Sequence, residues 1–233
     1  MSDVVKLFVC LKNQMQVVGR KKLVREKFDR MKIIYPFRLI LHPFDSFWDL
    51  KYEGKASIGI ANALLAMLFV SNILTYFCTG YIFNTNEPSQ FNILMELLYS
   101  VVLIVLWCVS NWAVCTLMDG EGTFREIWIA TCYSLLPRIL GQLIMVVLSN
   151  FIVLEEQIFW QILNVLSFGL TILLVLFGML VVHQYTLSKA LASALLSVAG
   201  VIIILFIVLL FFSILQQATG FIQTVYSELL NKS

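Results

Sequence analysis

Two ionisable residues interrupt the long apolar runs of this sequence, Glu96 and Arg138. A charge held at mid-bilayer costs at least a few kcal/mol. Such a residue either does chemistry there, as a proton site, an ion pair or a substrate contact, or it sits where its side chain regains water. Glu96 lies about two turns from the outer end of an apolar run that opens near residue 91, within reach of water or headgroups. Arg138 follows Pro137 directly. It can snorkel to the inner interface as a topology anchor, or it can serve a buried ion pair or substrate contact. One of these charges lies toward the outside and the other toward the inside, so a direct Glu96–Arg138 pair is not expected. Amides also fall within apolar runs, among them Asn62, Asn72, Asn111, Gln142, Asn150 and Asn164. Such groups join helices by hydrogen bonds; a polar translocation path is the alternative.

Other chemistry has no constellation to carry it. His42 and His183 are far apart, and neither has a metal-ligand companion at helical spacing. Cys10, Cys78, Cys108, Cys115 and Cys132 form no C-x-x-C pair, and four of these lie in or beside apolar runs, where free cysteine packs as a small hydrophobe. There is no phosphate-binding glycine loop, no H-E-x-x-H and no G-x-S-x-G. No catalytic residue, cofactor or metal is therefore expected; a membrane enzyme built from scattered acids is the reading left over.

The elements that must position these residues are membrane helices. Of the 233 residues 60% are hydrophobic and only 13% charged, with a mean hydropathy of +0.90. A soluble domain would be about a quarter charged. Runs near 57–83, 91–117, 127–154, 158–182 and 190–215 are each long enough to cross a bilayer, which takes roughly 20 residues. Of the 16 Lys and Arg, 12 lie at or before Lys55. The short loops alternate as well: 84–90 and 155–157 carry Glu and no base, whereas Arg125 and Lys189 fall in the opposite pair. Positive residues mark the cytoplasmic side. The expected fold is an all-α polytopic membrane protein of the cell membrane. It is a bundle of five transmembrane helices with cytoplasmic interfacial N-terminal helices, its N-terminus cytoplasmic and its C-terminus extracytoplasmic. No secretory signal is expected, since no cleavage site follows a short apolar core.

The third span is the least regular. Asp119-Gly120-Glu121-Gly122 reads as a turn, and Thr123-x-x-Glu126 matches a capping box, so a helix should begin at Phe124. Pro137 removes a backbone donor and frees the Tyr133 carbonyl. The expectation is a short interfacial helix to Leu136, a break, and a span from Ile139 with Arg138 at the inner surface. Small residues four apart, at Gly59/Ala63, Ala190/Ala194 and Ser193/Ser197, let backbones approach closely.

Flanking segments are amphipathic. In 1–34, Val4, Phe8, Leu11, Met15 and Val18 form a narrow stripe followed by a basic cluster, suited to an anionic leaflet or to a partner groove. This cluster is short and tethered to membrane spans, so nucleic acid is not an expected partner. In the next segment Asp45 or Ser46 can cap a short helix that Gly54 ends, with Phe44, Trp48 and Tyr52 on one face, suited to the inner interface. In the tail, 216–233, Phe221, Ile222, Val225, Tyr226, Leu229 and Leu230 share a helical face that can rest on the outer leaflet or clasp an extracytoplasmic partner.

The run His42-Pro43-Phe44-Asp45, continuing through Phe47 to Asp49-Leu50-Lys51-Tyr52-Glu53, resembles the start of bacterial members of the Yip domain family, named for Ypt/Rab-interacting proteins. Asp119-Gly120-Glu121-Gly122, leading through Glu126 to Tyr133 and Pro137, is similar to that family's glycine-bearing inner loop and tyrosine-to-proline approach to the third span. The resemblance covers 35–215. Its eukaryotic relatives bind prenylated small GTPases in vesicle traffic, but this chain shows no long acidic cytosolic domain. Bacterial relatives with the H-P-F-D segment are often encoded beside carbohydrate ABC importers. The resemblance therefore implies a non-enzymatic accessory or scaffold subunit contacting membrane lipids and ABC permease subunits, with an extracytoplasmic binding component as a further partner. A small oligomeric channel or transporter, and a membrane-shaping protein, are the alternatives. The candidate interaction residues are His42, Pro43, Phe44, Asp45, Trp48, Tyr52, Asp119, Gly120, Tyr133, Pro137, Arg138 and Glu96.

Overall fold

A computed structural model describes residues 36–54, 56–84 and 90–231, and every regular element among them is helical. The basic stripe of 1–34 lies outside the described residues. A helical turn at 36–41 leads into α1 (Pro43–Tyr52). This helix starts at Pro43, with His42 at the N-cap, and not at an Asp45 or Ser46 cap. The reason is that proline at the first helical position gives up a donor that the first turn leaves unpaired anyway. Gly54, at φ +59°, turns the chain away after it.

The spans follow as α2 (Ile58–Cys78), α3 (Ile93–Leu117, with a π-helical turn at Leu98–Val102), α4 (Phe124–Ser134) and α5 (Leu136–Ser149). After them come α6 (Gln157–His183) and α7 (Leu187–Asn231). Together α4 and α5 make one 26-residue unit, and five units are long and apolar enough to cross a membrane. The protein is a multi-pass membrane protein. One face of the bundle carries α1 and the α3–α4 and α6–α7 loops; the opposite face carries the ends of α2 and α5.

The α4–α5 unit is the most buried of the five spans, packed between α2 and α6. This corrects the expectation of an interfacial helix followed by a short span from Ile139. The break falls just earlier, at Leu135, so Pro137 sits in the first turn of α5, where its missing donor costs little. Helix resumes at once, with Ile139 N–H donating to the Leu135 carbonyl at 3.1 Å. The Thr123–Glu126 capping box is present in both directions, at 3.0 and 3.4 Å.

Polar side chains join the helices as the sequence suggested. Gln142 on α5 accepts from Ser71 at 2.6 Å and donates to Asn72 at 2.7 Å, both on α2. Asn62 accepts from the Trp128 indole at 2.9 Å, and Asn150 donates to the Cys78 carbonyl at 3.2 Å. Asn111 and Asn164 are engaged by His183 and Arg138. At the α3–α7 crossing Ser110 donates to the Ser197 carbonyl at 2.6 Å, and Gly200 leaves room for that hydroxyl. Ala190, Ser193 and Ser197 are buried there, whereas Gly59 and Ala63 stay exposed.

Beyond the crossing α7 splays away, most of its large apolar residues from Ile202 to Ile222 exposed. The helix does not stop where the apolar run ends near residue 215. It continues through the tail, 45 residues in all, about 68 Å at the usual rise per residue. The tail side chains Val225, Tyr226, Leu229 and Leu230 lie outside the described side chains.

Candidate functional site

The sequence of α1 divides into two sides. Ser46, Phe47, Asp49 and Leu50 are buried, Phe47 completely, while Phe44, Trp48 and Tyr52 form a ridge about half exposed. Phe47 seats against α6 at Gly178, where a Cβ would come within 3.2 Å of its ring. The ridge is ordered by its own contacts. Phe44 lies 4.7 Å from Phe177, and Trp48 lies 4.3 Å from Tyr52 between ring centroids. The Gln184 amide donates to the Tyr52 hydroxyl from the left-handed turn that caps α6.

Lys51 fastens this helix to two other elements. Its side chain is only 9% exposed; Nζ donates to the Val182 carbonyl at 3.0 Å and pairs with Glu121 Oε2 at 3.1 Å. The carbonyls in the last turn of a helix have no partner within the helix, and that end favours a cation. Lys51 thus closes α6 while holding the α3–α4 loop. Two residues back, Asp49 pairs with Arg38 at 3.6 Å.

The α3–α4 loop is shaped by close approach. Asp119 adopts φ +53°, Gly120 packs on Tyr185 and Cys115 with no space for a Cβ, and at Gly122 a Cβ would stand 2.5 Å from His183 Nδ1. Buried His183 and Asn111 bond through Nε2 and Oδ1 at 2.9 Å. Because an amide oxygen only accepts, Nε2 carries the proton. Burial, with Cys115 adding to it, pushes the Tyr185 phenol up to about 12, so this ring stays neutral. Lys189 Nζ stands 5.1 Å from the centroid of the same ring. Phe44, Trp48, Leu180, Val181, Gln184 and Tyr185 line a cleft of about 350 Å³.

The candidate residues therefore separate by level. His42 and Asp45 are exposed on the first turn of α1, beside Pro43, and join Phe44, Trp48, Tyr52, Asp119 and Gly120 on one face. Tyr133 is fully buried beneath them, its hydroxyl accepting from the Ser57 N–H at 3.2 Å. Pro137 and Arg138 lie further along the third span. Arg138 does not snorkel to the inner end: its guanidinium reaches Asn164 on α6 at 2.6 Å. Glu96 stands in the first turn of α3, at the opposite end, and not two turns inside a span. There its carboxylate meets the positive end of the helix.

Lys51, Glu121, Asn111, His183 and Gln184 were missed as site residues. Lys51 and Glu121 lie inside the two runs that carried the family resemblance, which was the available signal. His183 has no companion at helical spacing in the sequence; its companion, Asn111, comes from another helix. Among the described residues, no three of His, Cys, Asp and Glu come together as metal ligands. What the arrangement can do is recognition: an aromatic ridge beside cations, held in a fixed shape.

The family model described as Yip1 domain matches residues 37–219. No curated protein and no solved structure matches.

Proposed function

The chain belongs to the Yip1 domain family, and on that premise we propose that it is a non-enzymatic scaffold of the cell membrane. Its α1 face is the cytoplasmic one, because 12 of the 16 Lys and Arg precede the first span in the sequence. That face binds other membrane proteins, the permease subunits of a carbohydrate ABC importer. One observation carries the reading: the Phe44–Trp48–Tyr52 ridge is half exposed on a helix whose other side is pinned by Phe47 and Lys51. Aromatic anchors fixed before binding lose little conformational entropy on association, which is the property of an interface hot spot. The engagement of Asn62, Asn72, Asn111, Gln142, Asn150 and Asn164 in hydrogen bonds within the bundle supports a scaffold over a water-lined path.

Purification of the tagged protein in mild detergent, with quantitative mass spectrometry, tests this. Permease subunits are expected in stoichiometric amounts, and Trp48→Ala combined with Tyr52→Ala is expected to lower them at least ten-fold while the folded yield holds. A lone protein from both detergent and nanodiscs, or solute flux by the purified chain, would overturn it.

A further inference from the structure

Arg138 is the charge with no place in the α1 face. Among the described residues, the other charged side chains in or beside the spans lie at span ends: Glu96, Arg125, Glu126, Glu155, Glu156 and Lys189. Arg138 Nη1 donates to Asn164 Oδ1 at 2.6 Å and to Ser167 Oγ at 3.4 Å. Those residues stand about 15 and 20 Å along a 30-residue span some 45 Å long, in its middle third. Both partners are neutral and one nitrogen reaches both; among the described residues the rest of the guanidinium fork makes no hydrogen bond. No carboxylate comes within ion-pair distance of it among the described residues. Nor is the group sealed in: Arg138 and Asn164 are part-exposed, and Gln161 and Phe168, one turn to either side of Asn164 on the same face of α6, are exposed. A cation is thus held by neutral dipoles, part-open at a depth where lipid offers only hydrocarbon.

We propose that Arg138 is a docking charge for a transmembrane helix of a partner protein carrying Asp or Glu at mid-depth, seated over the α5–α6 seam beside Phe168. This rests on the scaffold reading and names the chemistry of one contact. Charge complementarity selects the occupant, since guanidinium and carboxylate pair bidentately and each removes the other's desolvation cost. A second copy of the chain does not supply it, because no described span carries an acid away from its ends. A lipid phosphate belongs at the headgroup level, not the middle third.

The test uses the full chain in phosphatidylcholine nanodiscs and a fluorescent synthetic leucine–alanine transmembrane helix with one central Asp. Energy transfer should report association at least ten-fold tighter than for the same helix with Asn. Arg138→Gln, which keeps a donor for Asn164, should abolish the difference, and Arg138→Glu should transfer the preference to a central Lys. Equal association of the Asp and Asn helices, or a preference that survives Arg138→Gln, would sink the proposal, as would Arg138-dependent anion flux. Separately, a benzophenone amino acid at Phe168 should cross-link, in native membranes, a protein with a mid-depth acid in the contacting span. A cross-linked span without one overturns the pairing while leaving the scaffold standing. Absence of co-purifying permease with intact Asp-helix pairing overturns the importer assignment instead.

Discussion

Lys51 shows how one side chain can be assigned its share of stability. Its two bonds differ in surroundings: the Val182 carbonyl is part-buried, whereas Glu121 is 65% exposed. A hydrogen bond to a charged group contributes about 1.5–3 kcal/mol, and an exposed ion pair contributes about 0–1 kcal/mol. Lys51→Met keeps the apolar stem and removes both bonds. It should lose about 2 kcal/mol in a reversible detergent-unfolding titration, while Glu121→Gln loses under about 1 kcal/mol. Equal losses would mean that the ion pair, not the helix-end carbonyl, is the fastening. The glycines separate two further effects. Gly54→Ala meets no neighbour within 4 Å and bears only its φ of +59°, a cost of about 1–2 kcal/mol. Gly122→Ala drives a Cβ to 2.5 Å from His183 Nδ1, where the ring must move and the Asn111 bond must loosen. Its loss should be the larger of the two by the same titration. The reverse order would show that the loop, not the ring, gives way.

At the scale of elements, α1 is docked by Phe47 more than by its exposed ridge. Emptying a fully buried phenylalanine site costs about 3–5 kcal/mol, enough to free a ten-residue helix. Phe47→Ala should therefore accelerate tryptic cleavage after Lys51 at least ten-fold, and Trp48→Ala should leave the rate unchanged; a fast Trp48→Ala would place the anchor on the wrong side of the helix. The sequence made some of this legible and hid the rest, for physical reasons. Span length, apolar content and the Thr123–Glu126 box are local patterns, and the elements follow them. The amides were recognisable as helix connectors because hydrocarbon offers them nothing else to bond. Which helix each one meets was hidden, since pairs such as Asn111 with His183 are 72 residues apart and no periodicity links them. In the local pattern Pro137 ends a helix, because its missing donor frees the Tyr133 carbonyl. Moving the break to Leu135 makes it a first-turn proline, and that choice is made by packing against α2 and α6. Arg138 moves with it, since a helix that includes Pro137 carries the arginine toward Asn164.

For the whole molecule, an odd number of spans separates the two ends of the design. The α1 face collects Lys51, Glu121 and the loop glycines, and α7 carries the chain to the opposite side, where a 45-residue helix outruns a hydrocarbon core of about 30 Å. In the proposed orientation, with the basic N-terminal segment inside, the α1 face is cytoplasmic. Two cysteine positions decide this. Cys78 is exposed at the end of α2 on the face opposite Glu121, while Cys108, Cys115 and Cys132 are buried. In a Cys10→Ser background, an impermeant maleimide added to intact cells should label Cys78. It should label a Glu121→Cys variant only after permeabilisation. Labelling of Glu121→Cys alone from outside would invert the protein and move the aromatic ridge to the outer leaflet, away from any cytoplasmic partner. Labelling of both positions from outside would mean that α3, the span between them, does not cross at all. Its contacts with α6 and α7 argue against that, because Asn111 and Ser110 would then carry into water the bonds they make to His183 and to the Ser197 carbonyl.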